Sequence, residues 1–287
     1  MPQVIRTLGP QESRVVLTLR EMGRMEITRA EISSLLGGTL KAADHIIESL
    51  RRKGWLERAA WGKYLLIAPE QGPDVLGNSN LLALASHIIK PYYFGFGTAA
   101  SHYGLTTQVR NAIYVVALEE RRGRMVHDSR VHIVKQTTRK FFGFEEIDVL
   151  GYKVMMSDRE KTSIDCIDHH QLAGGIGEAA TILANATRRY DWEKAADYLA
   201  RIGVGALARR FGWLCDYVKA EMPPGMRARI QTIANKSRNT WLGAPPERKV
   251  PDAIGYDEVW RVFVNISRAE LHGSAGLGQR KTVKRSA

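Results

Sequence analysis

The sequence predicts an α/β (α+β) fold in two parts. An N-terminal winged helix-turn-helix comes first, then a larger mixed domain with a small sheet and a C-terminal helical array. Three observations carry this reading. In residues 39–53, TLKAADHIIESLRRK, the residues Leu40, Ala43, Ile46, Ile47 and Leu50 recur at helical spacing and predict one buried stripe. The run that follows, WLERAAWGKYLLIA, reads as two short strands about a turn at Trp61-Gly62-Lys63. Farther on, Val- and Ile-rich runs at 112–118, 130–135, 147–150 and 152–156 give way after Gly177 to almost continuous helical periodicity.

The helix at 39–53 is the centre of the N-terminal part. Thr39 is an N-cap residue, whose hydroxyl can accept from a free backbone N–H of the first turn. Lys41, Asp44, His45, Glu48, Arg51 and Arg52 fall opposite the apolar stripe, and Gly54 ends the helix just after a cationic last turn. Upstream, residues 1–10 read as an arm and 11–22 as a helix lined by Val15, Val16, Leu19 and Met22, closed by Gly23. Ile27 marks a short strand. Thr28-Arg29-Ala30-Glu31 then has the form of a capping box, opening a helix that carries Ile32, Leu35 and Leu36 and stops at Gly37-Gly38. Helix, short helix, glycine turn, basic helix and hairpin make the order of a winged helix. The competing reading is an ordinary helix–hairpin unit with a solvated charged face.

Two prolines and a glycine at 69–73 interrupt any regular element. They divide the chain into a DNA-binding domain at 1–70, a linker at 71–77, a second domain at 78–272 and a basic tail at 273–287. An apolar helix is expected over 76–90 and a strand at 92–94, with Thr98 capping a short helix that Gly104 ends. Gly95 and Gly97 invite a nucleotide-loop reading, but the run lacks the lysine of a P-loop and the spacing of a dinucleotide turn. Residues 120–124 read as a basic turn. Asp158 is expected to cap a further helix, followed by helices over 178–189, 192–202, 204–221 and 224–235, a loop at 241–250 and a strand at 259–267.

The 287 residues carry 44% hydrophobic and 25% charged side chains, the composition of an ordinary globular protein. A net charge of +12 favours a polyanionic partner. Cys166 and Cys215 are the only cysteines, which excludes a disulfide framework and suits a reducing cytoplasm. The first residues lack a signal-peptide pattern, and no apolar run approaches the length needed to cross a bilayer, so no membrane partner is expected.

DNA contact is mostly phosphate neutralisation, with a few side chains reading base edges. Thr28 and Arg29 are candidates to grip phosphate at a helix N-terminus. Thr39, Lys41, Ala42 and His45 are candidates for the half of the central helix that enters the groove. There Lys41 could donate to guanine and Ala42 could meet a thymine methyl. Asp44 and Glu48 could accept from cytosine or limit non-specific affinity. Arg51 and Arg52 suit phosphate, and Arg58 and Lys63 are the wing candidates. A candidate second basic face comprises Arg188, Arg189, Arg209, Arg210, Arg227 and Arg229. The competing reading is a set of dispersed solvated charges. Asp165, Cys166, Asp168, His169 and His170 cluster in sequence, but without the paired spacing of a zinc motif. No nucleophile–base pair emerges, so no catalytic residue, metal or cofactor is expected.

The winged helix, then YYFGFGTAASHYGLTTQ, SDREKTSIDCI, ARRFGWLCD and a late GYDEVWRVFVN together resemble the AbiEi family. These are antitoxins and transcriptional regulators of type IV toxin–antitoxin systems, linked to abortive infection and phage defence. The likeness spans roughly residues 11–267. It implies an N-terminal domain that binds inverted repeats in operator DNA and represses its own operon. It also implies a C-terminal domain that neutralises a nucleotidyltransferase-like toxin of the AbiEii kind, without requiring a tight complex. A stand-alone regulator and an enzyme acting on RNA or on the toxin are the alternatives.

Overall fold

Helix α1 (Pro10–Glu21) starts where proline is tolerated, at a first turn whose N–H groups lack helical partners. Gly9 N–H donates to Glu12 Oε2 at 2.6 Å, and Val15, Val16 and Leu19 are buried. The computed structural model describes residues 7–67, 78–108, 111–235, 238–243 and 252–272. After strand β1 (Glu26–Thr28), helix α2 (Arg29–Leu36) opens on the expected capping box. Glu31 N–H donates to Thr28 Oγ1 at 3.2 Å, and Thr28 N–H to Glu31 Oε2 at 2.7 Å. Gly37, at φ 64°, closes it in the left-handed region that glycine enters without penalty.

Helix α3 (Leu40–Arg52) is capped by Thr39, whose hydroxyl accepts from Ala42 N–H at 3.2 Å. Ala43, Ile47 and Leu50 are buried and Ile46 is half-buried, but Leu40 is 48% exposed. The expected stripe is therefore one residue too long. Leu40 is the first helical residue, ahead of the turn that packs. Strands β2 (Leu56–Ala60) and β3 (Lys63–Leu66) form the wing about Trp61-Gly62, and the sheet runs β1-β3-β2. This is a winged helix-turn-helix.

Helix α4 (Asn78–Ala85) ends sooner than the expected 76–90, and strand β4 (Tyr92–Phe94) follows. Helix α5 (Phe96–His102) is capped by Gly95 and not by Thr98. The Gly95 carbonyl already accepts from Thr98 N–H at 3.1 Å, so Thr98 lies inside the first turn. Then come β5 (Ala112–Ala117), β6 (Arg124–Val126), β7 (Ser129–Lys135), β8 (Phe144–Val149) and β9 (Tyr152–Ser157). Strand β6 was not expected; Arg124 belongs to a hairpin strand, not to the end of a basic turn. The six-stranded sheet has the order β6-β7-β5-β4-β9-β8.

Helix α6 (Arg159–Asp168) is capped by Asp158, as expected, and every residue from Glu160 to Ile167 is buried. It is followed by α7 (His170–Ala173), α8 (Ile176–Ala186), a 3-10 turn at Thr187–Arg189, α9 (Trp192–Ile202), α10 (Gly205–Tyr217) and α11 (Pro224–Ala234). A second three-stranded sheet is built from β10 (Thr240–Trp241), β11 (Ala253–Asp257) and β12 (Val262–Ser267), in the order β10-β12-β11, before α12 (Arg268–His272). Only β12 was anticipated, and it starts at Val262 rather than at 259. With small sheets and many helices the chain is α+β.

The chain divides into two compact units, Met1–Tyr93 with Asn111–Val134 and Glu146–Met155, and Phe94–Arg110 with Lys135–Glu145 and Met156–Ala287. This division differs from the expected boundary at 71–77, because residues on both sides of 71–77 fall in the first unit. Within that unit Glu26 pairs with His87 at 2.9 Å, Glu57 with His127 at 2.5 Å, and Tyr152 donates its hydroxyl to the Leu66 carbonyl. These ties join the winged helix to the sheet. The expected linker at 71–77 and the tail at 273–287 lie outside the described residues.

Two helical glycines separate tight packing from open surface. A Cβ at Gly212 of α10 would sit 2.3 Å from the Trp260 ring, which is itself 1% exposed and has nowhere to move. A Cβ at Gly225 of α11 would meet nothing within 4 Å. Gly212→Ala is expected to destabilise the protein by about 1–3 kcal/mol. Gly225→Ala is expected to leave stability unchanged or raise it by about 0.5 kcal/mol. Urea midpoints at unchanged slope measure both.

Candidate nucleic-acid interface

At 3.6 residues per turn, Ala43, Ile47 and Leu50 occupy one side of α3. Lys41, His45, Glu48 and Arg52 then lie along the opposite side. All four are exposed, as are Thr39, Ala42, Asp44 and Arg51. The sequence-predicted reading face is therefore turned outward as a set. Lys41, Ala42 and His45 sit in its N-terminal half. Among the described residues, neither Lys41 nor Arg52 has an ion-pair partner, whereas Arg51 pairs with Glu48 at 3.1 Å.

Arg29 plays a different part from the expected one. Its Nε donates to Asp44 Oδ1 at 2.5 Å and its terminal NH2 group to Asp44 Oδ2, a two-point clamp between the start of α2 and α3. Its backbone N–H donates to the Gly62 carbonyl at 3.0 Å. One residue thus holds α3, the α2 N-terminus and the wing tip together. The hydrogen bonds from Arg29 lower the Asp44 carboxyl. Asp44 is accordingly engaged within the protein rather than free to read cytosine, and Arg29 cannot grip phosphate without giving up this pair. The Thr28 hydroxyl is likewise engaged in the capping box.

The wing places Arg58 and Lys63 at the surface, with Lys63 opposite Thr28 in the β1–β3 register. Trp61, at the turn, is 89% exposed, and the Arg58 guanidinium lies 5.0 Å from the centre of its ring. Trp61 was missed as a candidate. Its signal in the sequence was a large aromatic in a hairpin turn, where no core can receive it.

The candidate second basic face does not hold together. Arg209 is 1% exposed and donates to the Trp260 carbonyl at 2.8 Å; Arg210 is half-buried and donates to the Trp241 carbonyl at 2.8 Å. Burial lowers the pKa of both guanidinium groups. Arg227 pairs with Asp216 and Arg229 with Asp197. Arg188 and Arg189 are exposed on the 3-10 turn. The sequence reading failed here because α10 is covered by Trp260 and the second small sheet, on sides that a basic residue usually leaves to solvent.

The acidic cluster near α6 is answered from within. Asp165 receives Lys161 Nζ at 2.5 Å in a fully buried pair, and Asp168 pairs with Lys140 and with His169 at 3.4 Å. Asp158 accepts from Tyr198 at 2.6 Å and pairs with Lys194 at 3.0 Å; Glu160 accepts from Asp191 N–H at 3.0 Å. Asp165 and His169, one turn apart, do not converge as a ligand pair, since Lys161 takes the Asp165 carboxylate. Among the described residues no group of three His, Cys, Asp or Glu could hold a metal ion. Cys166 and Cys215 are buried and unbridged, and burial pushes the Cys215 thiol well up, away from reactivity.

No family model matches the chain, and no curated protein matches it. Among solved structures it resembles the crystal structure of the RV2827C protein from Mycobacterium tuberculosis, at 17% identity and a TM-score of 0.61. The match covers 91% of this chain and 93% of that one. At that identity the likeness is one of fold. Among the described residues no helix is long and apolar enough to cross a membrane.

One ion pair fixes the far end of α3. Lys53 Nζ reaches both carboxylate oxygens of Glu12, at 2.8 and 2.6 Å, and so pins α1 to the α3 C-terminus. Burial raises the Glu12 carboxyl, but hydrogen bonds from Lys53, Ser49 and Gly9 outweigh it and hold it at about 2. A carboxyl lowered on folding contributes stability above its unfolded value, and that stability is lost as pH falls towards the folded one. The window runs from the ordinary 4.5 down to about 2. Glu12→Gln is expected to cost on the order of 2 kcal/mol at neutral pH. It should also flatten the acid limb of stability between those values, as read by denaturant titrations across pH.

Proposed function

We propose that this chain is an antitoxin that represses its own operon, using the winged helix to bind inverted repeats in operator DNA. The observation that carries the DNA-binding half is the continuity of one outward face. The N-terminal half of α3 presents Lys41, Ala42 and His45, and Arg29 links that helix to the wing tip through Asp44 and Gly62. The width of a major groove admits one helix, and a hairpin beside that helix then meets the flanking backbone. Thr39, Lys41, Ala42 and His45 are the candidates for the groove. Arg51, Arg52, Arg58 and Lys63 are the candidates for phosphate.

The antitoxin half is supported by the resemblance to the AbiEi family, in which a nucleotidyltransferase-like toxin is the functional partner. Neutralisation is assigned to the residues that follow the winged helix, and the protein's part in it is non-enzymatic. The tightly tied polar groups around α6 suit a scaffold better than a catalytic centre. The face made by α3 serves a stand-alone regulator equally well; a neighbouring toxin gene separates the two.

Lys41→Ala with Arg52→Ala is expected to weaken binding to the promoter duplex at least about tenfold and to lower its salt dependence by about one phosphate contact, that of Arg52. Rescue of cells from the co-expressed neighbouring toxin should persist when the variant is supplied from an independent promoter. Anisotropy titration and a growth assay measure the two effects. Loss of rescue in a folded variant would contradict the separation of functions, and undiminished DNA binding would contradict the role of α3.

A further inference from the structure

Beside the wing lies a cleft of about 420 Å3, formed wholly within the first compact unit. One bank is wing strand β2 with its turn, carrying Arg58 and Trp61. The other is the β6–β7 hairpin, carrying Arg124, Met125 and His127. The hairpin is tight: Val126 pairs with Ser129, and His127 takes φ 49° in the turn. Arg124, Met125 and Trp61 are all exposed, with Met125 at 55%.

The cations of this cleft outnumber its carboxylates two to one. Arg58 and Arg124 contribute cations, and Glu57 is the one carboxylate in the lining. Glu57 is bonded to His127 at 2.5 Å, which fixes the hairpin against the wing. Burial raises the Glu57 carboxyl. What remains is a cationic cleft edged by an exposed indole and a thioether, suited to a strand that alternates phosphates with apolar sugar faces.

Its position supplies the occupant. Trp61 is bonded to Gly62, whose carbonyl accepts from Arg29, and Arg29 clamps Asp44 of α3. The cleft therefore begins where the proposed DNA face ends. Resting on the reading of α3 as the recognition helix, we infer that the β6–β7 hairpin is a second wing, and that the cleft takes the sugar–phosphate backbone of the duplex flanking the operator. Arg124 contacts a phosphate and Trp61 packs on a deoxyribose. Binding thus extends beyond the stretch of duplex met by α3 and the first wing.

The test uses the full chain and a duplex of the region immediately upstream of its own coding sequence. Affinity is measured across salt concentrations, with hydroxyl-radical footprints at saturation. Arg124→Ala is expected to lower the salt slope by about 0.9, the share of one phosphate. It should also erase protection at the outer edge of the footprint while the centre stays protected. Arg124→Lys should keep the slope, which separates lost charge from lost fold. Trp61→Ala should erase the same outer protection with the slope unchanged, since no charge is removed. A wild-type slope and footprint in Arg124→Ala overturns the second wing, while weakened binding by Lys41→Ala in the same assay leaves the α3 reading standing. A wild-type chain that protects no part of the duplex overturns both.

Discussion

Ala43, Ile47 and Leu50 lie buried on one side of α3, and the geometry of the N-terminal region depends on that burial. Each large aliphatic side chain removed from water contributes roughly 1.5–3 kcal/mol, far more than any exposed ion pair nearby. With that side fixed, helical periodicity leaves Lys41, His45, Glu48 and Arg52 no direction but outward. The polar ties then set orientation. Lys53 with Glu12 holds the C-terminal end against α1, and Arg29 with Asp44 holds the N-terminal end against α2 and the wing. Arg29 and Asp44 are well exposed, so their pairing is a matter of alignment more than of stability. The geometry of α3 rests on both: hydrophobic packing presents one face outward, and directional bonds keep that face in register with the hairpin.

The second unit solves the opposite problem, that of charge deep inside. Along α6, Glu160, Lys161 and Asp165 are buried, and each is met by a named donor or acceptor. A buried ion pair contributes little net stability against an apolar replacement, yet removing one partner strands the other at a cost of about 3–5 kcal/mol. Such a network specifies one packing of α6, and with it the positions of Tyr198, Lys194 and Asp191. It leaves these carboxylates engaged rather than poised for chemistry.

What the sequence made legible follows the reach of the interaction involved. The Thr28–Glu31 capping box, the Thr39 and Asp158 caps and the turn at Gly62 span four residues or fewer, and all are present as read. Local hydrogen bonding decides them, so local sequence suffices. Exposure depends on partners far along the chain, and there the reading failed. Arg209 looks like a surface residue until the Trp260 carbonyl, 51 positions later, accepts its N–H. Arg29 looks like a phosphate ligand until Asp44 claims it. Strand β6 carries exposed Arg124 and Met125, which blur the alternation that marks a strand. Trp61 does carry a local signal, a large aromatic in a hairpin turn, but its 89% exposure is a property of the folded wing.

The central claim is that the outward face of α3 and the wing meet DNA as one surface. Amide hydrogen exchange of the full chain, with and without a duplex of its own promoter region, tests this most directly. The account predicts slowed exchange at residues 39–45 and across the wing at 58–63, with the helices from α8 to α11 unchanged. Slowing confined to those later helices, with α3 and the wing as open as in the free protein, would contradict it.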